Sequence, residues 1–222
     1  MNLPGSPDGR FVLKELIAKD DFRTPMEGRW RVELEKGGRV AAKEGVLTID
    51  VPGGATVWWR EPLEGAVMIE FDVVQVSAGG SNDRVSDTNL FWMARDARSP
   101  GDLFATNRSG AFADYNELRC YYAGVGGNGN TTTRFRRYIG SPTTRPLLPE
   151  HDLKGEGDLL RANQSMHFQA VAMEGLIQLW RDGRRVFELQ DEAAYRSGWF
   201  GFRTTTSHQE IRNFRVWRIE KR

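Results

Sequence analysis

Between Tyr115 and Tyr138 the chain reads YNELRCYYAGVGGNGNTTTRFRRY, a stretch holding four arginines, four tyrosines and one glutamate. An ordinary hairpin fills its strands with Val, Ile and Thr. This one carries groups that hydrogen-bond, hold charge and stack on rings. Arginine forks pair bidentately with carboxylates. Tyrosine and tryptophan rings offer an apolar face to sugar C–H groups while their polar tips stay wet. The combination suits an anionic saccharide. Elimination across a uronate needs a group to neutralise the carboxylate, a base for the proton alpha to it, and an acid for the leaving oxygen. Arg119, Arg134, Arg136, Asn116 and Asn128 have the chemistry for the first role. Tyr121, Tyr138, His151 and His208 have it for the other two, a tyrosine base needing arginines nearby to lower its pKa. His151 falls in the long segment RPLLPEHDL and His208 in the turn TTTSHQE, whereas His167 sits inside the strand pattern MHFQAVA, where a structural role is expected.

Hydrolysis of a glycoside would instead need two positioned carboxylates. The run IEFDVVQV supplies Glu70 and Asp72 but then Gln75. It is similar to the E-x-D-x-x-E strand of retaining jelly-roll glucanases with the second glutamate missing, so a structural strand is expected there. Glu117, Asp102, Glu150 and Asp152 are the other carboxylates available for such a pair. Basic and aromatic residues interleaved also serve single-stranded nucleic acid. Against that stand 31 basic and 30 acidic residues, a net charge of +1, and no nucleic-acid motif. Neither nucleic acid nor a membrane is an expected partner. The single cysteine, Cys120, excludes an intrachain disulfide framework and reads as a small buried residue. No metal or cofactor is expected; a structural calcium is chemically open but not indicated.

The elements that must position these residues are short alternating strands. GVLTIDV, TVWWR, AVMIEFDVVQV, TNLFWMAR, NELRCYYA, TRFRRY, MHFQAVA, LIQLWRD, RRVFELQ, GWFGFRT and EIRNFRVWRI follow one another with glycine-bearing turns between many of them. Asp182-Gly183 is the strongest hairpin signal. No convincing helical period occurs. At 222 residues this describes one all-β domain, a two-sheet antiparallel β-sandwich or jelly roll, with residues 1–27 as a lead-in and 28–219 as the sandwich core. Seven Trp, five Tyr and twelve Phe supply much of its filling. Two stretches, 96–114 and 139–164, are too long for tight turns and flank the opening hairpin, which favours function over mere connection.

Alternation splits each strand between two faces. In NELRCYYA it assigns Asn116, Leu118, Cys120 and Tyr122 to the core or its margin, and Glu117, Arg119 and Tyr121 to the ligand face. On the partner strand Phe135 points inward while Arg134, Arg136 and Tyr138 point outward. In GWFGFRT, Phe200 and Phe202 pack, and Trp199 and Arg203 share the opposite face. The expected site therefore has Tyr121, His151, His208, Arg119 and Glu117 as catalytic candidates. Asn116, Asn128, Asn130, Arg134, Arg136, Tyr138, Trp199 and Arg203 are expected to bind substrate. The plain alternative is a solvated strand face in which Glu117 pairs with Arg134 or Arg136. A one-residue slip of register would exchange the two faces.

On GDLFATNRSGAF, YNELRCYY, RFRRY and GWFGFRTTTSHQEIRNFRVWRI the chain resembles the concanavalin A-like lectin/glucanase superfamily, most closely uncharacterised bacterial jelly-roll domains of the YesU-like kind. NELR is also similar to the R-x-E-L-R strand of jelly-roll alginate lyases, with Tyr115 in place of the first arginine, so that Arg119 alone carries over. The resemblance implies a carbohydrate-active protein with an oligo- or polysaccharide partner of the acidic, rhamnose-containing kind. The expected function is a lyase-like enzyme on a uronate-containing glycan. A glycoside hydrolase of the same fold and a non-catalytic lectin-like module are the alternatives. The opening MNLPGSPDGR has no basic-then-apolar signal, which leaves location and oligomeric state open.

Overall fold

The computed structural model describes residues 6–222, and counts and absences below refer to those residues. In chain order the strands are β1 (Phe11–Asp20), β2 (Trp30–Leu34), β3 (Arg39–Lys43), β4 (Val46–Val51), β5 (Ala55–Trp59), β6 (Leu63–Glu64), β7 (Val67–Gln75), β8 (Thr88–Asp96), β9 (Leu118–Gly126), β10 (Thr132–Ile139), β11 (Asp152–Leu153), β12 (Ser165–Met173), β13 (Leu176–Arg181), β14 (Arg184–Gln190), β15 (Ser197–Thr204) and β16 (Ser207–Lys221). They form two antiparallel sheets of eight strands each. The first runs β14-β13-β12-β7-β16-β4-β3 with β1 also on β16; the second runs β11-β10-β9-β8-β15-β5-β2 with β6 also on β15. This is the expected all-β sandwich.

Period-two alternation makes the core. Leu47, Ile49 and Val51 of β4 point inward and are buried, while Val46, Thr48 and Asp50 are partly exposed. Ile69, Phe71 and Val73 of β7 meet Leu90, Trp92, Phe200 and Phe202 of the facing sheet in one apolar cluster. Each such side chain contributes roughly 1.5–3 kcal/mol by leaving water. Asp182 and Gly183, both at positive φ, join β13 to β14 as the sequence predicts. The boundary at residue 28 needs correction. Residues 11–20, assigned to the lead-in, are a strand paired with β16 from Phe11↔Lys221 to Asp20↔Phe214. Residues 1–5 of that lead-in lie outside the described residues.

A second cluster lies on the outer face of the β8–β9–β15 sheet. Residues 97–117 fold back over it and seal Leu103 and Tyr115 against Trp58, Phe91, Leu118, Cys120 and Tyr138. A bulge in β8 between Trp92 and Arg95 puts Met93 at φ 52 and turns Asp96 to this face. There the covering segment is pinned by charge. Arg108, its side chain fully buried, donates to Asp96 Oδ2 at 2.9 Å and to Glu33 Oε2 at 3.3 Å. Tyr115 Oη and Trp58 Nε1 donate to the same Glu33 oxygen, at 2.8 and 3.0 Å. Burial works against Asp96 ionising, yet the hydrogen bonds from Arg98 hold its carboxyl below the usual range.

Candidate functional site

Register carries one row of residues across the outer face of this sheet: Glu33, Thr56, Arg203, Asn89, Gly124, Arg134 and Asp152, each the partner of the next. The covering segment roofs the Glu33–Arg203 half. Over β8, β9 and β10 the face is open, as a cleft of ≈ 320 Å³. Asn89, Tyr122 and Gly124 form its floor. Thr132, Arg134 and Arg136 come from β10, Phe112 from the covering segment and Arg145 from the segment after β10. Asp87, Gly127, Asn128 and Thr205 line the remaining end.

Tyr122 stands at the centre. It stacks among Phe91, Phe112 and Tyr138 with ring centroids 5.2–6.0 Å away. Among the described residues no hydrogen bond engages its hydroxyl. Burial first, then the neighbouring Tyr138 and Asp87, hold its proton well above the ordinary phenol range, with Arg203 and Arg136 opposing. At rest it is a proton donor. A Cβ on Gly124 would lie 2.8 Å from the hydroxyl, so the glycine makes room for it. Asn89, 3 % exposed, donates to Asp87 Oδ1 at 3.4 Å and leaves its own Oδ1 unpartnered. A buried acceptor without a donor costs free energy that a ligand hydroxyl can recover.

Asp87 is held in the left-handed region at φ 62, its N–H bonded to Gly126 O at 3.1 Å. Ser86 Oγ and Thr205 Oγ1 both donate to its Oδ2. It is the one carboxylate lining the cleft among the described residues. The charge balance is therefore cationic. Arg134 is neutralised by Asp152 at 2.8 Å, but neither Arg136 nor Arg145 meets a carboxylate among the described residues. Arg136 donates one N–H to the Arg145 carbonyl and Arg145 lies over the Phe112 ring at 5.0 Å. Burial, followed by repulsion from Arg145 and Arg134, lowers the Arg136 pKa from its ordinary value, as expected where cations are gathered ahead of their counterion.

Of the residues expected at the site, Asn128, Arg134 and Arg136 line the cleft, and the rest do not. Tyr121 points between the sheets, fully buried, and donates to Asp191 Oδ2 at 2.7 Å; its partner Tyr122 takes the cleft face. The slip arose because Leu118 and Cys120 are as buried on the outer face as a core strand would be, beneath the covering segment. Continuing the alternation through Ala123 and Val125, with Gly124 and Gly126 opposite, carries the signal that fixes the register. Arg119 is exposed at the far end of β9, opposite Ile139. Glu117 lies 3.7 Å from Arg98, and Asn116 donates to Pro142 O at 3.2 Å, tying the two long segments together.

His151 is buried edge-on against Phe135 and Phe187, its Nε2 3.0 Å from Glu188 O. His208 belongs to the other sheet, 2.9 Å from Asp83. Asn130 clasps the Leu160 backbone through both amide atoms, because the Gly126–Asn130 turn, left-handed at Gly126, Asn128, Gly129 and Asn130, needs an anchor. Tyr138 shares the expected face but is sealed, and burial pushes its phenol up to about 12. Trp199 donates to Arg60 O beside Phe104, away from the cleft. Arg203 lies beneath Tyr115 at 4.8 Å and donates to Thr56 Oγ1 and Gly110 O. The E-x-D-x-x-E-like run falls on the opposite sheet, where Glu70 accepts from Trp217 Nε1 at 2.9 Å. Asp87, Asn89, Phe112, Tyr122, Arg145 and Thr205 were not among the expected site residues. Phe112 and Arg145 do come from the two long segments singled out as functional.

The family model described as a domain of unknown function, DUF6250, matches residues 49–214. No curated protein matches the chain. Among solved structures, a protein of unknown function with galectin-like fold from Bacillus subtilis superimposes with a TM-score of 0.74 at 17 % identity, over 96 % of this chain and 100 % of the other. An endo-β-1,3-glucanase from Pyrococcus furiosus gives 0.62 at 10 % identity, covering 97 % of each chain. The carbohydrate-binding module CBM66 from Bacillus subtilis gives 0.52 at 13 % identity, over 87 % of this chain and 94 % of that one. At such identities the likeness is one of fold, the concanavalin A-like jelly roll.

Proposed function

The chain belongs to the DUF6250 family, and we propose that it is a carbohydrate-active protein whose cleft binds a uronate-bearing saccharide and cleaves it by elimination. The observation that carries this reading is the pairing of two guanidinium groups without carboxylate partners, Arg136 and Arg145, with a proton-bearing Tyr122 and a single carboxylate, Asp87. Phe112 and Tyr122 offer ring surface to sugar C–H groups. The fold shared with a glucanase and a carbohydrate-binding module supports a saccharide ligand. It is also compatible with kinship to bacterial jelly-roll domains of the YesU-like kind.

In this reading Arg136 and Arg145 bind the uronate carboxylate and make the neighbouring C–H more acidic. Asp87 takes that proton. The C–H electron pair becomes the ring double bond as the bond to the leaving glycosidic oxygen breaks, and Tyr122 protonates that oxygen. Proton return from Asp87 to the Tyr122 phenolate restores the site. Two-carboxylate hydrolysis is disfavoured because Asp87 is the one carboxylate lining the cleft among the described residues. The test is incubation with polygalacturonate, alginate and hyaluronan oligosaccharides, following ultraviolet absorbance of the unsaturated product alongside calorimetric binding. Absorbance that grows with enzyme supports elimination. Binding without absorbance or new reducing ends reduces the protein to a binding module, and neither binding nor product removes the carbohydrate reading.

A further inference from the structure

We infer that the cleft receives the end of a saccharide chain and not its interior; this rests on the saccharide reading above. An open jelly-roll groove lets a polymer cross every strand of the sheet. Here the path is stopped within three strands. On the β15 side, Trp58, Phe91 and Thr56 are wholly buried beneath residues 97–117, and Arg203 is 1 % exposed. That roof is not a loose flap. Its Arg108 is clamped between Glu33 and Asp96, and Arg203 reaches up from the sheet to the Gly110 carbonyl.

The lower part of β9 and β10 is closed as well. Cys120 and Tyr138 are buried there, and Asn116 and Arg136 hold the segment after β10 through the Pro142 and Arg145 carbonyls. The open directions are over the Gly126–Asn130 turn, where Asn128 and Gly129 are exposed, and the β10–β11 edge, where Arg134 and Asp152 are partly exposed. The volume of ≈ 320 Å³ sits at the bottom of the range for small-ligand sites, roughly 300–1,000 Å³, and suits about one or two sugar rings. The unpartnered Asn89 Oδ1 lies in the floor of this blind end.

The inference is tested by calorimetry on the full chain with a trisaccharide, a hexasaccharide and the parent polymer of polygalacturonate, alginate and hyaluronan, concentrations being counted as chains. For whichever series binds, chain-end recognition gives dissociation constants within about threefold of one another across the three lengths. In the cleavage assay, small unsaturated product accumulates while polymer viscosity is kept. Tightening by about tenfold or more from trisaccharide to polymer, or viscosity loss ahead of product release, overturns chain-end recognition and leaves the saccharide reading intact. Failure of all three series to bind overturns both.

Discussion

The Tyr122 hydroxyl lies over Gly124, close enough that a Cβ at position 124 would stand 2.8 Å from it. The phenol is packed among Phe91, Phe112 and Tyr138 and cannot swing aside freely. Gly124→Ala should therefore tilt Tyr122 within a chain that still folds, at a cost of about 1–3 kcal/mol from overpacking. Saccharide affinity should fall by about tenfold or more. Calorimetry with the polygalacturonate, alginate and hyaluronan oligosaccharides, beside urea unfolding, measures the two effects separately.

Adjacent tyrosines should behave oppositely. Tyr122→Phe removes the proposed acid and should lower turnover by about 10²–10⁴ with little change in stability. Tyr121→Phe touches no cleft atom. It strips Asp191 Oδ2 of one donor and leaves the Tyr195 N–H, 3.0 Å from the lost oxygen, without its acceptor. Its expected cost is about 1–3 kcal/mol of stability, with turnover unchanged. Equal losses of turnover in the two variants would count against the assignment.

Arg136 should be sensitive to shape as well as charge. Its Nε and second amino group have no partner among the described residues, which leaves a fork for a carboxylate. Arg136→Ala should weaken binding of acidic saccharides strongly and of their carboxyl-reduced forms little. Arg136→Lys should recover only part of the loss, since an ammonium cannot repeat the bidentate contact. Titrations of both ligand forms at low and high salt provide the comparison.

The opposite sheet carries a titrating pair with a definite sign. The hydrogen bond to Asp72 holds the His167 pKa above its ordinary 6.5, with Glu70 and Asp182 adding to the effect. The same bond, followed by that from Asn213 and the nearby charge of Arg215, lowers Asp72 from 3.8 against the opposing effect of burial. Folding thus favours protonated His167, and this stabilisation is full below pH 6.5 and fades as pH rises through the raised folded value. The Asp72 contribution is present above pH 3.8 and is lost as pH falls through its lowered value. Melting temperatures of the wild type and His167→Gln should differ most between those limits and converge in alkali.

The sandwich was legible from its many short strands and the turns between them, and two-fold alternation survives in strands such as VLTIDV of β4. The site was legible in outline only. Arg134 and Arg136 were placed by alternation about Phe135, whose inward packing is unambiguous. β9 misled because both its faces are buried, one by the facing sheet and one by residues 97–117, so composition could not tell Tyr121 from Tyr122. The histidines misled for another reason. His151 lies in a long segment, yet that segment tucks its imidazole between Phe135 and Phe187. Arg108 and Arg203 could not be read as structural, since their carboxylate, carbonyl and aromatic neighbours lie far away in sequence.

Asp87 keeps a backbone conformation, φ 62, that glycine or asparagine adopts with less strain. Strain of this kind costs of order 1–3 kcal/mol and persists where the surrounding structure over-determines it. Glycine here would relieve that strain but would leave the Ser86, Asn89 and Thr205 donors without their acceptor. In the elimination reading this residue separates catalysts from binders within the family. Family members with aspartate here are expected to transform their saccharide. Members with glycine, but with the equivalents of Arg136 and Tyr122 kept, are expected to bind a saccharide without transforming it.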